Sequence, residues 1–152
     1  MSEDPAATAL LAARLAPLLK TGDVLALDGT LGSGKTHFAR ALIHALGVTE
    51  DVPSPTFTLI QVYEAGALPI WHCDLYRLSG PQDAEELGLD DGFAEALCLI
   101  EWPGRLGGRL PAKALHIAFT PGEDAQARQI RISGDAAWRP RLQPLRQAYS
   151  LG

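Results

Sequence analysis

Lys35 and Thr36 close the run Gly29-Thr30-Leu31-Gly32-Ser33-Gly34-Lys35-Thr36, which fits G-x-x-x-x-G-K-[ST], the phosphate-binding P-loop. Each fixed position has a task. The glycines let backbone N–H groups turn inward around phosphate oxygens. Lys35 brings an ammonium to the β- and γ-phosphates, and the Thr36 hydroxyl suits one ligand position on Mg²⁺. A helix that starts here points its positive end at the same anion. Such a loop also needs a carboxylate for the metal, usually at the C-terminal end of a buried strand. Two positions qualify: Glu101, after the apolar run Leu97-Cys98-Leu99-Ile100, and Asp74, after Pro69-Ile70-Trp71-His72-Cys73. The choice between them is open from the residues alone.

Other side chains near these positions are weaker candidates. His72 suits packing or hydrogen bonding better than metal ligation. Arg77 suits a surface ion pair at least as well as a phosphate contact. Trp102 directly follows Glu101 and is either a stacking residue at the site or a half-buried core residue. Ser54-Pro55-Thr56 stands where GTPases place a segment that senses the γ-phosphate, which makes Thr56 a switch-like candidate; a rigid turn is the alternative. Arg128, Arg131, Arg139, Arg141 and Arg146 suit a scattered, solvated charge set better than an RNA or acidic-partner surface.

The elements that must position these residues are legible in outline. Asp23 to Asp28 is an apolar run suited to a buried parallel strand. Phe38, Leu42, Ala45 and Leu46 then recur at helical spacing until Gly47. Strand, glycine-rich loop and helix come in the order that a P-loop requires. Upstream, Asp4-Pro5 starts a helix striped by Leu11, Leu15 and Leu18, with Pro17 kinking or stopping it. Downstream, Thr56 to Glu64 and Leu68 to Tyr76 suggest a hairpin turning at Ala65-Gly66, which makes the sheet mixed. Residues 81 to 88 suit a short helix, and Ala96 to Trp102 a buried strand. Leu115 to Thr120 and Gln129 to Ser133 suggest a closing hairpin around Pro121-Gly122. From Asp135, Trp138, Leu142, Leu145 and Tyr149 share a helical face that Pro140 and Pro144 interrupt. The expected fold is α/β: a three-layer P-loop NTPase-like arrangement with a central mixed sheet flanked by helices.

The 152 residues suit one domain, with a helical segment at about 135–150. The net charge of −5 argues against gripping nucleic acid by a broad basic surface. Cys73 and Cys98 suit small core residues of a reduced protein, with a disulfide as the alternative. The chain shows no signal-peptide pattern and no apolar run approaching the ~20 residues of a membrane span, so the expectation is cytoplasmic, without a membrane.

Together these motifs resemble the TsaE (YjeE) family, the ATPase subunit of bacterial tRNA threonylcarbamoyladenosine (t6A) synthesis. The matching stretches are the P-loop at 29–36, Ser-Pro-Thr-Phe-Thr-Leu at 54–59, His-Cys-Asp-Leu-Tyr-Arg-Leu at 72–78, Glu-Leu-Gly-Leu at 86–89, Ile-Glu-Trp-Pro at 100–103 and Leu-Pro at 110–111. They span about residues 5–133. The resemblance implies a weak Mg²⁺-dependent ATPase that docks on a transferase subunit and its dimer partner, meets tRNA only indirectly, and supports repeated threonylcarbamoylation of the adenosine beside the anticodon. It implies that Lys35 holds the phosphates, Thr36 and Glu101 bind Mg²⁺, Asp74 supports hydrolysis and Trp102 lies near the nucleotide. Thr8 and Arg128 match places that look like part of the family's nucleotide pocket. Two positions depart: Thr30 stands where the family usually has an acid, and His37 where it commonly has a small or hydroxyl residue.

Two other functions suit a P-loop of this size. One is a small-molecule kinase, with Arg105-Leu106-Gly107-Gly108-Arg109 as a short basic lid. The other is a nucleotide-switched binding module. A GTPase fits less well, because the chain has no Asn-Lys-x-Asp sequence.

Overall fold

Continuous apolar runs at residues 24–27 and 97–100 give a sheet centre that is dry on both faces, and the polar site residues stand where those runs end. A computed structural model describes residues 2–3, 5–29, 34–53, 59–78, 82–121 and 128–148. The chain runs β1 (Ser2–Glu3), α1 (Pro5–Leu15), β2 (Val24–Gly29), α2 (Lys35–Ala45), β3 (Ile60–Ala65), β4 (Leu68–Asp74), α3 (Gln82–Leu87), α4 (Leu89–Glu95), β5 (Leu97–Glu101), β6 (Leu115–Pro121), β7 (Arg128–Ser133), α5 (Trp138–Arg141) and α6 (Gln143–Ala148). Single 3-10 stretches lie at Ala16–Leu18 and Pro103–Arg109. Pro17 lacks a backbone donor, and α1 accordingly gives way to the first of these after Leu15.

The strands form one sheet in the order β1-β7-β6-β2-β5-β4-β3. Its centre is parallel, β6 with β2, β2 with β5 and β5 with β4. Its margins are antiparallel, through the β3–β4 and β6–β7 hairpins and β1 against β7. The sheet is therefore mixed, as the hairpin pattern predicts. Leu59 has a φ of 67°, outside the extended region, and the regular pairing of β3 begins at Ile60. Residues 54–58, which include Thr56, lie outside the described residues.

One face carries Leu25, Leu27, Ile70, Leu97, Leu99, Leu115, Ile117 and Phe119 and packs with α1, α2, α5 and α6 residues such as Leu11, Leu15, Phe38, Leu42, Trp138 and Leu145. The Phe38 and Phe119 rings meet at 5.5 Å. The other face carries Val24, Ala26, Cys73, Cys98 and Ile100 under Leu89, Phe93 and Leu106. The second helix beneath this face, α4, escapes the sequence pattern because Asp90, Asp91 and Gly92 dilute its apolar stripe. Gly92 is needed there: a Cβ would sit 2.5 Å from the Trp71 ring. Cys73 and Cys98 are both free thiols buried in this layer, and burial pushes the Cys98 thiol up to about 12.

The C-terminal segment closes the first layer through a residue that sequence alone places on the surface. Arg141 makes a two-armed contact with the Asp23 carboxylate, 2.9 Å on one arm, and a second bond to the Leu18 carbonyl at 2.8 Å. Its guanidinium lies 4.1 Å from the Trp138 ring centre, and Trp138 Nε1 donates to the Lys113 carbonyl at 2.7 Å. Asp23 also accepts from Lys20 N at 2.8 Å. Asp23 is buried just before β2, so removing the guanidinium strands a carboxylate there. Arg141→Ala is expected to destabilise the fold by about 3 kcal/mol, measured by urea unfolding beside Arg139→Ala at an exposed position. Equal midpoints for the two variants would contradict this clamp.

Candidate functional site

The site is built at the carboxyl ends of the three central parallel strands. Side chains alternate along a strand, so His72 and Asp74 share one face of β4, and Leu99 and Glu101 share the same face of β5. The register sets Asp74 opposite Glu101, and Glu101 opposite Leu27 of β2. Both candidate carboxylates thus face the layer that holds α2. Two residues beyond Leu27, β2 ends at Gly29, where the candidate phosphate loop begins. Thr30, Leu31, Gly32 and Ser33 lie outside the described residues. The chain reappears at Gly34, whose φ of 106° is a conformation that favours glycine, and α2 starts at Lys35.

Lys35 and Thr36 on the first turn of α2 meet the strand ends. Thr36 Oγ1 donates to Glu101 Oε1 at 2.8 Å. Glu101 Oε2 is 2.6 Å from His72 Nε2. Glu101 is 1% exposed and His72 fully buried. Lys35 Nζ donates to the Gly29 carbonyl at 2.7 Å and sits 3.4 Å from the centre of the Trp102 ring. The structure thus brings Lys35, Thr36, Asp74, Glu101 and Trp102 together. The sequence leaves His72 as a hydrogen-bonding or packing residue, and the structure finds its partner in Glu101. The signal for that was the two-residue spacing from His72 to Asp74 on a buried strand.

Burial governs the electrostatics. Desolvation lowers the Lys35 pKa from its ordinary 10.5, opposed by the carboxylates of Glu101, Asp74 and Asp28. Lys35 is only 4% exposed as a residue, and its ammonium is held by a carbonyl and an aromatic face, both weak substitutes for an anion. Asp74 Oδ1 accepts from the Tyr76 backbone N–H at 3.0 Å, which turns the chain out of β4. Tyr76 packs on Trp102 at 4.9 Å between ring centres, and the Arg105 guanidinium lies 5.9 Å from the Tyr76 ring. Trp102 has a φ of 60°, a strained conformation for a bulky residue.

Thr36 and Glu101 supply a hydroxyl and a carboxylate, both hard oxygen donors. Among the described residues, no cluster of three His, Cys, Asp or Glu is arranged to hold a metal. Mg²⁺ keeps several waters and takes one or two protein oxygens beside those of a phosphate. The Thr36–Glu101 pair fits such an ion. Thr8 is buried in α1, and Arg128 opens β7, three strand steps from β5, with its backbone paired to Glu3 and Pro121. The Arg105–Arg109 stretch is anchored by Leu106, which is fully buried, and does not have the form of a free basic lid. No helix of the described residues is long and apolar enough to cross a membrane.

A family model for the threonylcarbamoyl adenosine biosynthesis protein TsaE matches residues 2–130. The chain belongs to the TsaE family. Two curated relatives named tRNA threonylcarbamoyladenosine biosynthesis protein TsaE set the scale. That of Bacillus subtilis is 41% identical over 122 residues, covering 80% of this chain and 76% of its own. That of Treponema pallidum is 37% identical over 117 residues, covering 76% and 85%. The crystal structure of Bacillus subtilis YdiB superposes with a TM-score of 0.81 at 32% identity, over 97% of this chain and 95% of that one. The TsaE names place the family in biosynthesis of a modified tRNA nucleoside, and the YdiB likeness agrees with the three-layer α/β fold described above.

The desolvated Lys35 gives a signed pH dependence. The unfolded chain keeps the Lys35 proton up to about 10.5, whereas the folded protein releases it at lower pH. In that window the unfolded state binds more protons, so the stability of the ligand-free wild type rises with pH relative to Lys35→Met. Urea unfolding of both proteins from pH 7 upward should show the wild type gaining on the variant as pH approaches 10.5. A gap that is constant, or that moves the other way, would contradict the assigned desolvation.

Proposed function

We propose that the chain is the ATP-binding and ATP-hydrolysing subunit for threonylcarbamoylation of the tRNA adenosine next to the anticodon. In this proposal it is a single P-loop ATPase domain in the cytoplasm, acting with a transferase subunit and that subunit's dimer partner. The observation that carries it is the Thr36 Oγ1–Glu101 Oε1 contact of 2.8 Å on the first turn of α2, beside a buried Lys35 whose ammonium rests on the Gly29 carbonyl and the Trp102 ring. A hydroxyl, a strand-end carboxylate and an ammonium at a helix N-terminus form the set that Mg-ATP chemistry requires.

Each residue has a role in that chemistry. Gly29, Thr30, Leu31, Gly32, Ser33 and Gly34 wrap the phosphates with backbone N–H groups. Lys35 leaves the Gly29 carbonyl and the Trp102 face for the β- and γ-phosphate oxygens. Its desolvation, a penalty in the ligand-free protein, becomes a gain when an anion arrives. Thr36 and Glu101 hold Mg²⁺, which supplies positive charge against the charge carried by the phosphate oxygens. Asp74, level with Glu101 on the next strand, orients the attacking water. Trp102 borders the nucleotide; Thr8 and Arg128 are its more distant contacts, and Thr56 is a switch-like residue that senses the γ-phosphate. The anchored Leu106 disfavours a kinase lid, and a switch module without catalysis would not need Asp74.

The test is ATP hydrolysis by the purified chain with Mg²⁺, alone and with the transferase pair and tRNA. Stimulation in the complex is expected. Lys35→Ala should weaken Mg-ATP binding by about 10- to 100-fold, the worth of a hydrogen bond to a charged group. Asp74→Ala should bind nucleotide nearly as wild type and slow turnover by about 100-fold. Nucleotide binding with no hydrolysis in any mixture would leave the switch module as the better function. Unchanged turnover in Asp74→Ala would remove that residue from the mechanism.

A further inference from the structure

Glu101 is held on both oxygens. Thr36 donates to Oε1 at 2.8 Å, and His72 Nε2 lies 2.6 Å from Oε2. A carboxylate only accepts, so Nε2 must carry the proton of that bond. His72 Nδ1 is buried with no hydrogen-bond partner among the described residues. A proton there as well would be a stranded donor, so the ring donates from Nε2 alone. A buried imidazole with one nitrogen unused is poorly explained by stability; an apolar side chain would fill the same place without an unpaired polar atom. Its remaining product is the orientation of the Glu101 carboxylate.

That orientation has a competitor. Glu101 is the strongest charged neighbour of the Lys35 ammonium, which is itself almost dry. A carboxylate free to rotate would be drawn onto that ammonium. Such an ion pair would occupy the phosphate-binding charge and the metal-binding oxygen together. The structure instead shows Lys35 on the Gly29 carbonyl and the Trp102 face, with Glu101 turned between Thr36 and His72. His72 and Glu101 are diagonal neighbours on adjacent parallel strands, since His72 pairs with Leu99 in register. The sheet therefore fixes the donor rigidly.

We propose that His72 is a positioning residue: its Nε2–H holds the Glu101 carboxylate toward Thr36 and the cation, and away from Lys35. The proposal rests on Glu101 being the carboxylate of the Mg-nucleotide site. It separates two properties that a general loss of packing would reduce together. Removing the donor lets Glu101 leave Thr36 for Lys35, so metal binding weakens most and metal-free nucleotide binding less, because the phosphates compete for the same ammonium.

The full-length chain is titrated with Mn²⁺ in the presence of a non-hydrolysable ATP analogue and followed by electron paramagnetic resonance. Analogue binding in EDTA is measured beside it by calorimetry. His72→Phe keeps the ring volume without the donor, His72→Asn carries an amide too short to reach, and His72→Gln places an amide N–H near the position of Nε2. His72→Phe and His72→Asn are expected to weaken Mn²⁺ by about 10- to 100-fold, with EDTA binding reduced less than Mn²⁺ binding and His72→Gln near wild type in both. Wild-type Mn²⁺ affinity in His72→Phe, or His72→Gln as weak as His72→Asn, overturns the proposal. If His72→Phe does not fold, the Gln and Asn pair decides alone. A wild-type protein with no metal-coupled nucleotide binding refutes the nucleotide site itself, and the proposal with it; that outcome is distinct from a His72 failure against a normal wild type.

Discussion

The register of three parallel strands is the constraint on which the rest of the site depends. Leu27, Glu101 and Asp74 stand in line across β2, β5 and β4. A slip of one residue in β5 would turn Glu101 to the opposite face, away from α2, and bring Ile100 into its place. The dry packing of both faces prevents that slip. Leu97 and Leu99 belong to one core layer, Cys98 and Ile100 to the other, and neither set tolerates water. Core packing is thus what sets the position of the functional carboxylate. The same logic holds at α2, where Phe38 and Leu42 seat the helix on the sheet and thereby fix Lys35 and Thr36 on its first turn.

Charge in a dry place gives the site its character. Lys35, His72, Asp74 and Glu101 are all buried, and Glu101 is bonded to both His72 and Thr36, the residue after Lys35, within a single cluster. The ammonium rests on a carbonyl and a tryptophan face rather than on a carboxylate. Low local dielectric makes such an arrangement expensive while it is incomplete and strong when an anion completes it. The strained φ of Trp102 lies in the same place, where the chain leaves β5 directly after Glu101. Strain at such a junction persists because the surrounding packing, here Tyr76 and Lys35, over-determines it.

Much of this was legible in the sequence, because it is written in local periodicity. The β2–loop–α2 order, the two hairpins, the mixed sheet and the acids at the ends of β4 and β5 follow from alternation, turn residues and the P-loop spacing. What was hidden depends on contacts distant in sequence. Arg141 looks like one of several scattered arginines; only the fold brings it to Asp23 across 118 residues. α4 carries too few apolar residues in its stripe to announce itself, and its Gly92 makes sense only beside Trp71. His72 is one polar residue in an apolar run until β5 lies next to it and supplies Glu101. Within the strand expected from Thr56 to Glu64, Leu59 carries a positive φ that residue type does not reveal.

The most direct test of the account is a crystal structure of the chain with a non-hydrolysable ATP analogue and Mn²⁺. The account predicts phosphates against the N-terminus of α2, Lys35 Nζ moved from the Gly29 carbonyl to phosphate oxygen, and an anomalous peak within coordination distance of Thr36 Oγ1 on the side facing Glu101. An analogue bound elsewhere, or bound here with Lys35 still on Gly29 and Trp102 and no metal beside Thr36, would contradict it.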